Sequence, residues 1–332
     1  MHWGVLSTAA INDLVLPGFA QSERADLQAV ASRDRARAES YAGRHGIPRA
    51  HGSYEDLLAD PEVDCLYISL PNGLHGEWTR RALEAGKHVL CEKPLTPSSQ
   101  EAASLFALAE ERGRVLMEAF MYRHHPQTLR AEELVREGAV GTPEIVRSWF
   151  HFTVEDPGSD IRYSEELAGG ALRDVGCYCV SFSNYLLGGA PDQVTAMAHL
   201  SESGVDELFA GSMHYPGGAI ATFDCGMKAP VDIGLTVLGS EGSLHVPTPW
   251  YPHQPPMKLI LSRDDRSEEI PAQGDDSYFL EIENFTAAAA GDGEPRVTAV
   301  ETLRNLETIE RLRLAAGLDR QKRASADPEP AT

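Results

Sequence analysis

From Trp3 to Phe120, short apolar runs alternate with segments whose apolar residues recur every third or fourth position. Short apolar runs bounded by turn formers predict strands, and the longer spacing predicts helices. The predicted strands are HWGVL (2–6), LQAVAS (27–32), CLYISL (65–70), HVLCE (88–92) and VLMEAF (115–120). Between them, GEWTRRALEAG and SSQEAASLFALAEERG end at Gly86 and Gly113, as crossover helices do where the C-terminus takes a left-handed residue. This alternation predicts a doubly wound parallel sheet over residues 1–121. Pro17 lies inside the first helical segment and removes an N–H donor, which predicts a kinked or short helix.

After His124 the pattern becomes β-rich. EIVRSWFHFTV (144–154), QVTAMAHLS (193–201), LFAGSMHYPGGAIATFDCGM (208–227) and DIGLTVLGSEGSLHV (232–246) contain Gly-rich turns that predict consecutive hairpins. One long helical stretch, ALRDVGCYCVSFSNYLLG, sits inside this half, and SYFLEIENFTAAAAG and VETLRNLETIERLRLAAG close the chain, expected to fold back onto the first domain. The expected fold class is α/β, with a second α/β domain over residues 122–318 built on an open, mostly antiparallel sheet. Residues 319–332 are charged and Pro-bearing and are expected to be a mobile tail.

Composition narrows the partners. The chain has 332 residues, 29 Lys and Arg against 50 Asp and Glu, and a formal net charge of −21. Such a field repels nucleic-acid phosphates and anionic lipid, so neither a nucleic acid nor a membrane is expected as partner. A phosphate ligand then needs local cations or backbone N–H groups. The five cysteines show no zinc-ribbon or C-x-x-C spacing and read as core residues of a reducing cytosol; no metal site is expected. No apolar run approaches the ~20 residues of a membrane span. A cytoplasmic protein is the expectation.

Three stretches carry candidate chemistry. In GVLSTAAI, the small residues Ser7 and Ala9, with Thr8 and Ile11, stand where a phosphate-binding turn carries glycines, so the stretch is either a nucleotide turn or a plain strand–helix junction. The second strand ends in ASRDRAR, where Ser32, Arg33 and Arg37 suit a phosphomonoester because a guanidinium offers a fork of donors. That favours NADP over NAD, with Asp34 still able to reach a ribose hydroxyl. Asp174 and Tyr178 are four apart, hence on one helical face, with Gly176 between them. Asp160, Arg162 and Tyr163 are polar enough to contact a sugar.

CEKPL, SLPNGLH, MEAFMYRHHPQ and GGALRDVGCYCV together resemble the Gfo/Idh/MocA oxidoreductase family, over Trp3 to about Gly317. The texture is closest to its branch of NADP-dependent D-xylose dehydrogenase, dimeric dihydrodiol dehydrogenase and glucose-fructose oxidoreductase. The resemblance implies an N-terminal Rossmann domain whose degraded glycine turn is still a nucleotide site. It implies that Leu70, Pro71, Asn72 and His75 pass under the cofactor together with Glu92 and Lys93. It makes Lys93 the active-site lysine and Tyr178, where many members have histidine, the proton acceptor, with Asp174 beside them. It places Tyr122, Arg123 and His124 near the sugar or nicotinamide. It also implies a homodimer, or a tetramer, through the free face of the second sheet.

The expected reaction is hydride transfer between NADP and a sugar carbon, most simply oxidation of a D-xylose-like or D-glucose-like aldose at C1 to the lactone. Rival readings are a ketoreductase of nucleotide-linked sugars, a trans-dihydrodiol dehydrogenase with a more aromatic pocket, and a non-catalytic dinucleotide sensor.

Overall fold

The computed structural model describes residues 1–319; the rest of the expected tail, 320–332, lies outside the described residues. Six parallel strands, β1 (His2–Leu6), β2 (Asp26–Ala31), β3 (Arg49–His51), β4 (Cys65–Ile68), β5 (His88–Glu92) and β6 (Leu116–Ala119), form one sheet in the order β3-β2-β1-β4-β5-β6. The strand order reverses between β1 and β4, as in doubly wound dinucleotide folds. Five helices make the crossovers: α1 (Asn12–Gln21), α2 (Arg35–His45), α3 (Tyr54–Leu58), α4 (Asn72–Glu84) and α5 (Ser99–Glu111). Tyr67, Leu90 and Met117 are buried in one core cluster and Leu66, Val89 and Cys91 in another, so both faces are covered and the strands read as unbroken apolar runs. Strand β3 is invisible in that pattern: its Arg-Ala-His holds its place by pairing with Ala29–Ala31 and by Arg49 and His51 reaching Asp60 at 3.3 and 3.1 Å. Pro17 does lie inside α1, which runs ten residues.

The second sheet has eight strands: β7 (Pro143–Thr153), β8 (Gln193–Leu200), β9 (Asp206–His214), β10 (Ile220–Gly226), β11 (Lys228–Gly239), β12 (Ser243–Val246), β13 (Lys258–Arg263) and β14 (Arg266–Pro271). Their order is β14-β13-β12-β11-β7-β10-β9-β8, antiparallel except that β7 and β10 are parallel. The last hairpin gave no sequence signal because β14, RSEEIP, is a charged edge strand of the kind that resists further pairing. One π-helical turn (Leu172–Gly176) runs into α7 (Cys177–Leu186) and covers one face of the sheet. Gly176 permits that approach, since a Cβ there would stand 2.7 Å from Cys225 Sγ. An unpredicted helix, α6 (Pro126–Arg136), links the two halves; His125 caps it by accepting from the Gln127 N–H.

The closing helices, α8 (Ser277–Ala289) and α9 (Ala299–Ala315), return to the first sheet as expected. Helix α8 packs on α1, and α9 packs on α5 and α7. Trp3 seals this junction with ring contacts to Phe19 at 5.1 Å and Phe285 at 5.2 Å. Aromatic pairs of this kind are worth about 0.5–1.5 kcal/mol beyond area burial. The two sheets are thereby held in a fixed relation, and a cleft lies between them. Asp319, first residue of the expected tail, is held by Arg313 at 3.1 Å.

Candidate active site

The cleft, about 390 Å³, opens where the strand order reverses, the place at which open α/β sheets bind ligands. Its near wall comes from the turns after β1, β4 and β5: Ala9, Ala10, Ile11, Ser69, Leu70, Pro71, Asn72 and Glu92, and from the end of β5 Lys93 reaches across to the far wall. Ser7 has φ 153°, a backbone region glycine prefers. A buried ring of hydrogen bonds holds it there. The Ser7 hydroxyl lies 2.8 Å from Ser69 Oγ, Ser69 donates to Asn12 Oδ1 at 2.6 Å, and Asn12 Nδ2 donates to the Ser7 carbonyl at 3.0 Å. Here side chains fix the turn that glycines would otherwise allow. Helix α1 has Ile11 at its N-cap, with no side-chain hydrogen bond; the N–H groups of Asn12, Asp13 and Leu14 donate to the Ala9, Ala10 and Ile11 carbonyls at 3.0–3.1 Å, and Ala9, Ala10 and Ile11 line the cleft at this end of the helix. Small residues and an uncapped helix N-terminus fit a dinucleotide pyrophosphate.

At the tip of β2 the alternatives separate. Asp34 spends its carboxylate capping α2, accepting from the Arg37 N–H at 3.0 Å. Ser32 is buried and its hydroxyl accepts from the Asp34 N–H at 3.3 Å. Arg37 Nε donates to Thr8 Oγ1 at 2.7 Å, tying the phosphate turn to α2; both residues line an adjoining groove that continues from Ala9 and Ala10. Arg33 is exposed beside Tyr54. The group left facing outward at the tip is a cation.

The far wall carries the chemistry. The π-helical turn presents both the carbonyl and the carboxylate of Asp174 to Lys93, whose Nζ donates to them at 2.6 and 3.2 Å. The other carboxylate oxygen accepts from Arg162 Nε at 2.8 Å, and Arg162 Nη1 reaches Asp160 at 3.1 Å. Turns of this type recur at functional sites. Burial opposes the charge on Lys93, but Asp174, Cys177 and Glu92 together outweigh it and raise the lysine pKa. Burial likewise opposes the charge on Asp174, and Lys93 and Arg162 together hold it below the usual carboxylate range. The site therefore keeps an ionised pair facing the cleft.

Tyr178 lies over this pair with Lys93 Nζ 5.1 Å from its ring centre. The cation stands above the ring face, and the phenol is not lowered: burial, then Tyr278 and Glu92, push its pKa well above the usual value. Glu92 accepts from the Tyr67 hydroxyl at 2.6 Å, and burial raises its pKa against the pull of Lys93. Phe150, Phe152, Tyr251 and Tyr278 complete an aromatic wall. None of these four stood out in the sequence. Phe150 and Phe152 share one phase of β7, but periodicity alone does not say which phase faces the cleft.

Three expected substrate contacts are corrected. Tyr122, Arg123 and His124 form a short, buried 3₁₀ turn and do not line the cleft; the Tyr122 ring packs behind that of Tyr178, 5.8 Å between ring centres. Tyr122 shares a hydrogen bond with Ser181 at 2.9 Å. Arg123 pairs with Glu301 at 2.7 Å and lies 3.6 Å from the Tyr185 ring centre. His124 stands 3.9 Å from Glu281, and burial keeps its pKa well below the ordinary histidine value. The segment is polar in composition but spends its polarity internally. His75 does line the cleft, while its ring nitrogens lie 2.7 Å from the Leu70 carbonyl and 2.9 Å from that of Pro94, bracing the turns that flank Lys93. Among the described residues all five cysteines are free and buried, no group of side chains is placed to hold a metal ion, and no helix is long and apolar enough to cross a membrane.

Comparison with known proteins agrees with this geometry. Residues 1–120 match the model of an oxidoreductase family with an NAD-binding Rossmann fold, and residues 128–245 match the GFO/IDH/MocA C-terminal domain. A D-xylose 1-dehydrogenase (NADP(+)) of Haloferax volcanii is 42% identical over 314 residues, 93% of this chain and 95% of the relative. The trans-1,2-dihydrobenzene-1,2-diol dehydrogenase of Mus musculus is 32% identical, over 84% of this chain and 83% of its own. Among solved structures, the aldose-aldose oxidoreductase of Caulobacter crescentus superposes with a TM-score of 0.88 at 27% identity, covering 96% of this chain and 98% of that one. A 3-ketoreductase from Actinomadura kijaniata, solved with NADP and TDP-benzene, gives 0.87 at 32% identity, covering 95% and 97%. A dinucleotide cleft at the strand reversal, an ionised lysine–aspartate pair on its far wall and agreement along nearly the whole chain lead to one conclusion: this chain belongs to the Gfo/Idh/MocA family of oxidoreductases.

Proposed function

We propose that the protein is an NADP(H)-dependent sugar dehydrogenase that oxidises an aldose of the D-xylose or D-glucose type at C1, releasing the lactone. The observation that carries this reading is the convergence of Lys93, Asp174 and Tyr178 on the dinucleotide cleft. When bound, the nicotinamide supplies the hydride acceptor. The turn after β1, with Leu70, Pro71 and Asn72, holds the dinucleotide, and Ser32, Arg33 and Arg37 read the 2′-phosphate. Lys93 spends two N–H groups on Asp174 and keeps a third for the oxygen that loses its proton, stabilising the developing alkoxide. Tyr178 exchanges that proton: as the phenolate it accepts it when the alcohol is oxidised, and as the phenol, the form its raised pKa favours, it returns it when the carbonyl is reduced.

NADP and an aldose are favoured by the likeness to the Haloferax D-xylose 1-dehydrogenase (NADP(+)) and by Arg33 standing where an acid would select NAD. The aromatic wall favours a second reading, since Phe150, Phe152 and Tyr251 suit the flat face of a trans-dihydrodiol. Nicotinamide reduction measured over aldoses, trans-dihydrodiols and nucleotide sugars, with NADP⁺ and NAD⁺ in parallel, separates them. The account expects turnover with a free aldose and NADP⁺; turnover confined to dihydrodiols selects the second reading, and turnover with NAD⁺ alone removes the role of Arg33. Dimerisation is proposed through the uncovered face of the second sheet, where Met197 is 79% exposed and Ile220 stands outward beside His214 and Gln193 on the neighbouring strands. Sedimentation as a monomer would refute it.

A further inference from the structure

The segment between β7 and the π-helical turn has two attachments. At one end, Asn72 Nδ2 donates to the Ala168 carbonyl at 3.1 Å and the Gly73 N–H donates to the Leu167 carbonyl at 2.9 Å, both on the turn that lines the cofactor side. The fit is close, because a Cβ on Gly73 would stand 3.0 Å from the Glu166 carbonyl oxygen. At the other end, Arg162 reaches Asp174. Its backbone is fixed from both sides: Asp160 accepts from the Arg162 N–H at 2.8 Å, and the Arg162 carbonyl accepts from the Gly170 N–H at 2.9 Å. Gly169 is required there, since a Cβ would stand 2.2 Å from that carbonyl oxygen.

Arg162 was expected from its polarity to touch the sugar. It lines the cleft, with Nε committed to Asp174 Oδ2 and Nη1 to Asp160. Asp174 is thereby shared, one carboxylate oxygen on Arg162 and the other on Lys93. Without Arg162 nothing holds the second carboxylate oxygen, so Asp174 is free to rotate and no longer fixes which N–H group of Lys93 points to the cleft.

We propose that Arg162 is a positioning residue: it divides the Asp174 carboxylate so that Lys93 keeps a free N–H toward the cleft, and its segment transmits occupancy of the cofactor turn at Asn72 and Gly73 to that pair. This inference rests on the dehydrogenase reading above, and its test is built so that the two fail separately. In Arg162→Gln, kcat falls roughly 10–100-fold, the scale of about 1 Å of misplacement. NADP⁺ affinity and sugar KM stay within about threefold, since uniform binding is untouched. Arg162→Lys restores at least part of kcat. A raised KM with unchanged kcat overturns the proposal and makes Arg162 a substrate contact.

Amide hydrogen exchange decides the matter without turnover. NADP⁺ is expected to slow exchange at residues 70–75 and at 170–178 in the wild type, and only at 70–75 in Arg162→Gln. Protection of 170–178 that survives the substitution, or is absent from the wild type, overturns the coupling. A wild type that binds NADP⁺ but oxidises no sugar refutes the dehydrogenase reading instead, and the exchange result still stands.

Discussion

The two walls of the cleft are built on different principles. The cofactor wall offers backbone and small side chains: Ala9, Ala10, Pro71 and an uncapped helix N-terminus. The opposite wall offers side chains almost alone: Phe150, Phe152, Tyr178, Tyr251 and Tyr278 around the ionised pair of Lys93 and Asp174. Backbone recognition tolerates loss of the glycine pattern, provided something like the ring of Ser7, Ser69 and Asn12 holds the turn. Side-chain recognition does not tolerate substitution in the same way. Substitutions on the far wall should therefore change turnover and sugar choice, and those on the near wall should change cofactor choice.

The largest effect is expected from Lys93→Met, which removes the cation from the reacting oxygen and leaves Asp174 to Arg162. Turnover should fall by about 10³-fold, the range of a lost proton-transfer or oxyanion group, with circular dichroism and NADP⁺ binding retained. Turnover within tenfold of the wild type breaks the distinction between the walls. Next comes Arg33→Ala. Losing a charge-assisted contact of about 1.5–3 kcal/mol should weaken NADP⁺ roughly 10–100-fold and leave NAD⁺ unchanged; equal weakening of both cofactors would show a merely structural residue.

A smaller effect is expected for Tyr251→Leu. Removing one aromatic surface should raise sugar KM by about tenfold with NADP⁺ KM unchanged, read from initial rates with each substrate varied. The smallest effect separates stability from the cleft. Burial pushes Glu118 up to about 7 from its ordinary 4.5, although its carboxylate accepts from the Leu95 N–H at 2.9 Å. The folded protein then holds a proton that the unfolded chain releases between those values. Stability is highest below the unfolded value and falls as pH rises through the folded one, by a limit on the order of 3 kcal/mol. Glu118→Gln removes this slope, so its melting temperature should drop less than that of the wild type between about pH 5 and pH 8. Parallel curves would place the raised pKa elsewhere.

The first sheet was legible because buried parallel strands are unbroken apolar runs, whereas Lys93, Asp174 and Tyr178 were singled out together only through the resemblance carried by CEKPL and GGALRDVGCYCV. Three things were not legible. Strands β3 and β14 carry no apolar run, so their pairing is decided by neighbours. The direction of Tyr122, Arg123 and His124 depends on α8 and α9, which arrive from the far end of the chain. The aromatic wall joins β7, the loop at Tyr251 and the first turn of α8, and no local pattern links such distant segments.

The central claim is hydride removal from C1 of an aldose at this cleft. The direct measurement is turnover of D-xylose carrying deuterium at C1, with the reduced cofactor examined by mass spectrometry. The account predicts that the deuterium is found in NADPH and that turnover slows relative to the unlabelled sugar. Reduced cofactor without the label, or no reduction at all while other carbinols are oxidised, would contradict it.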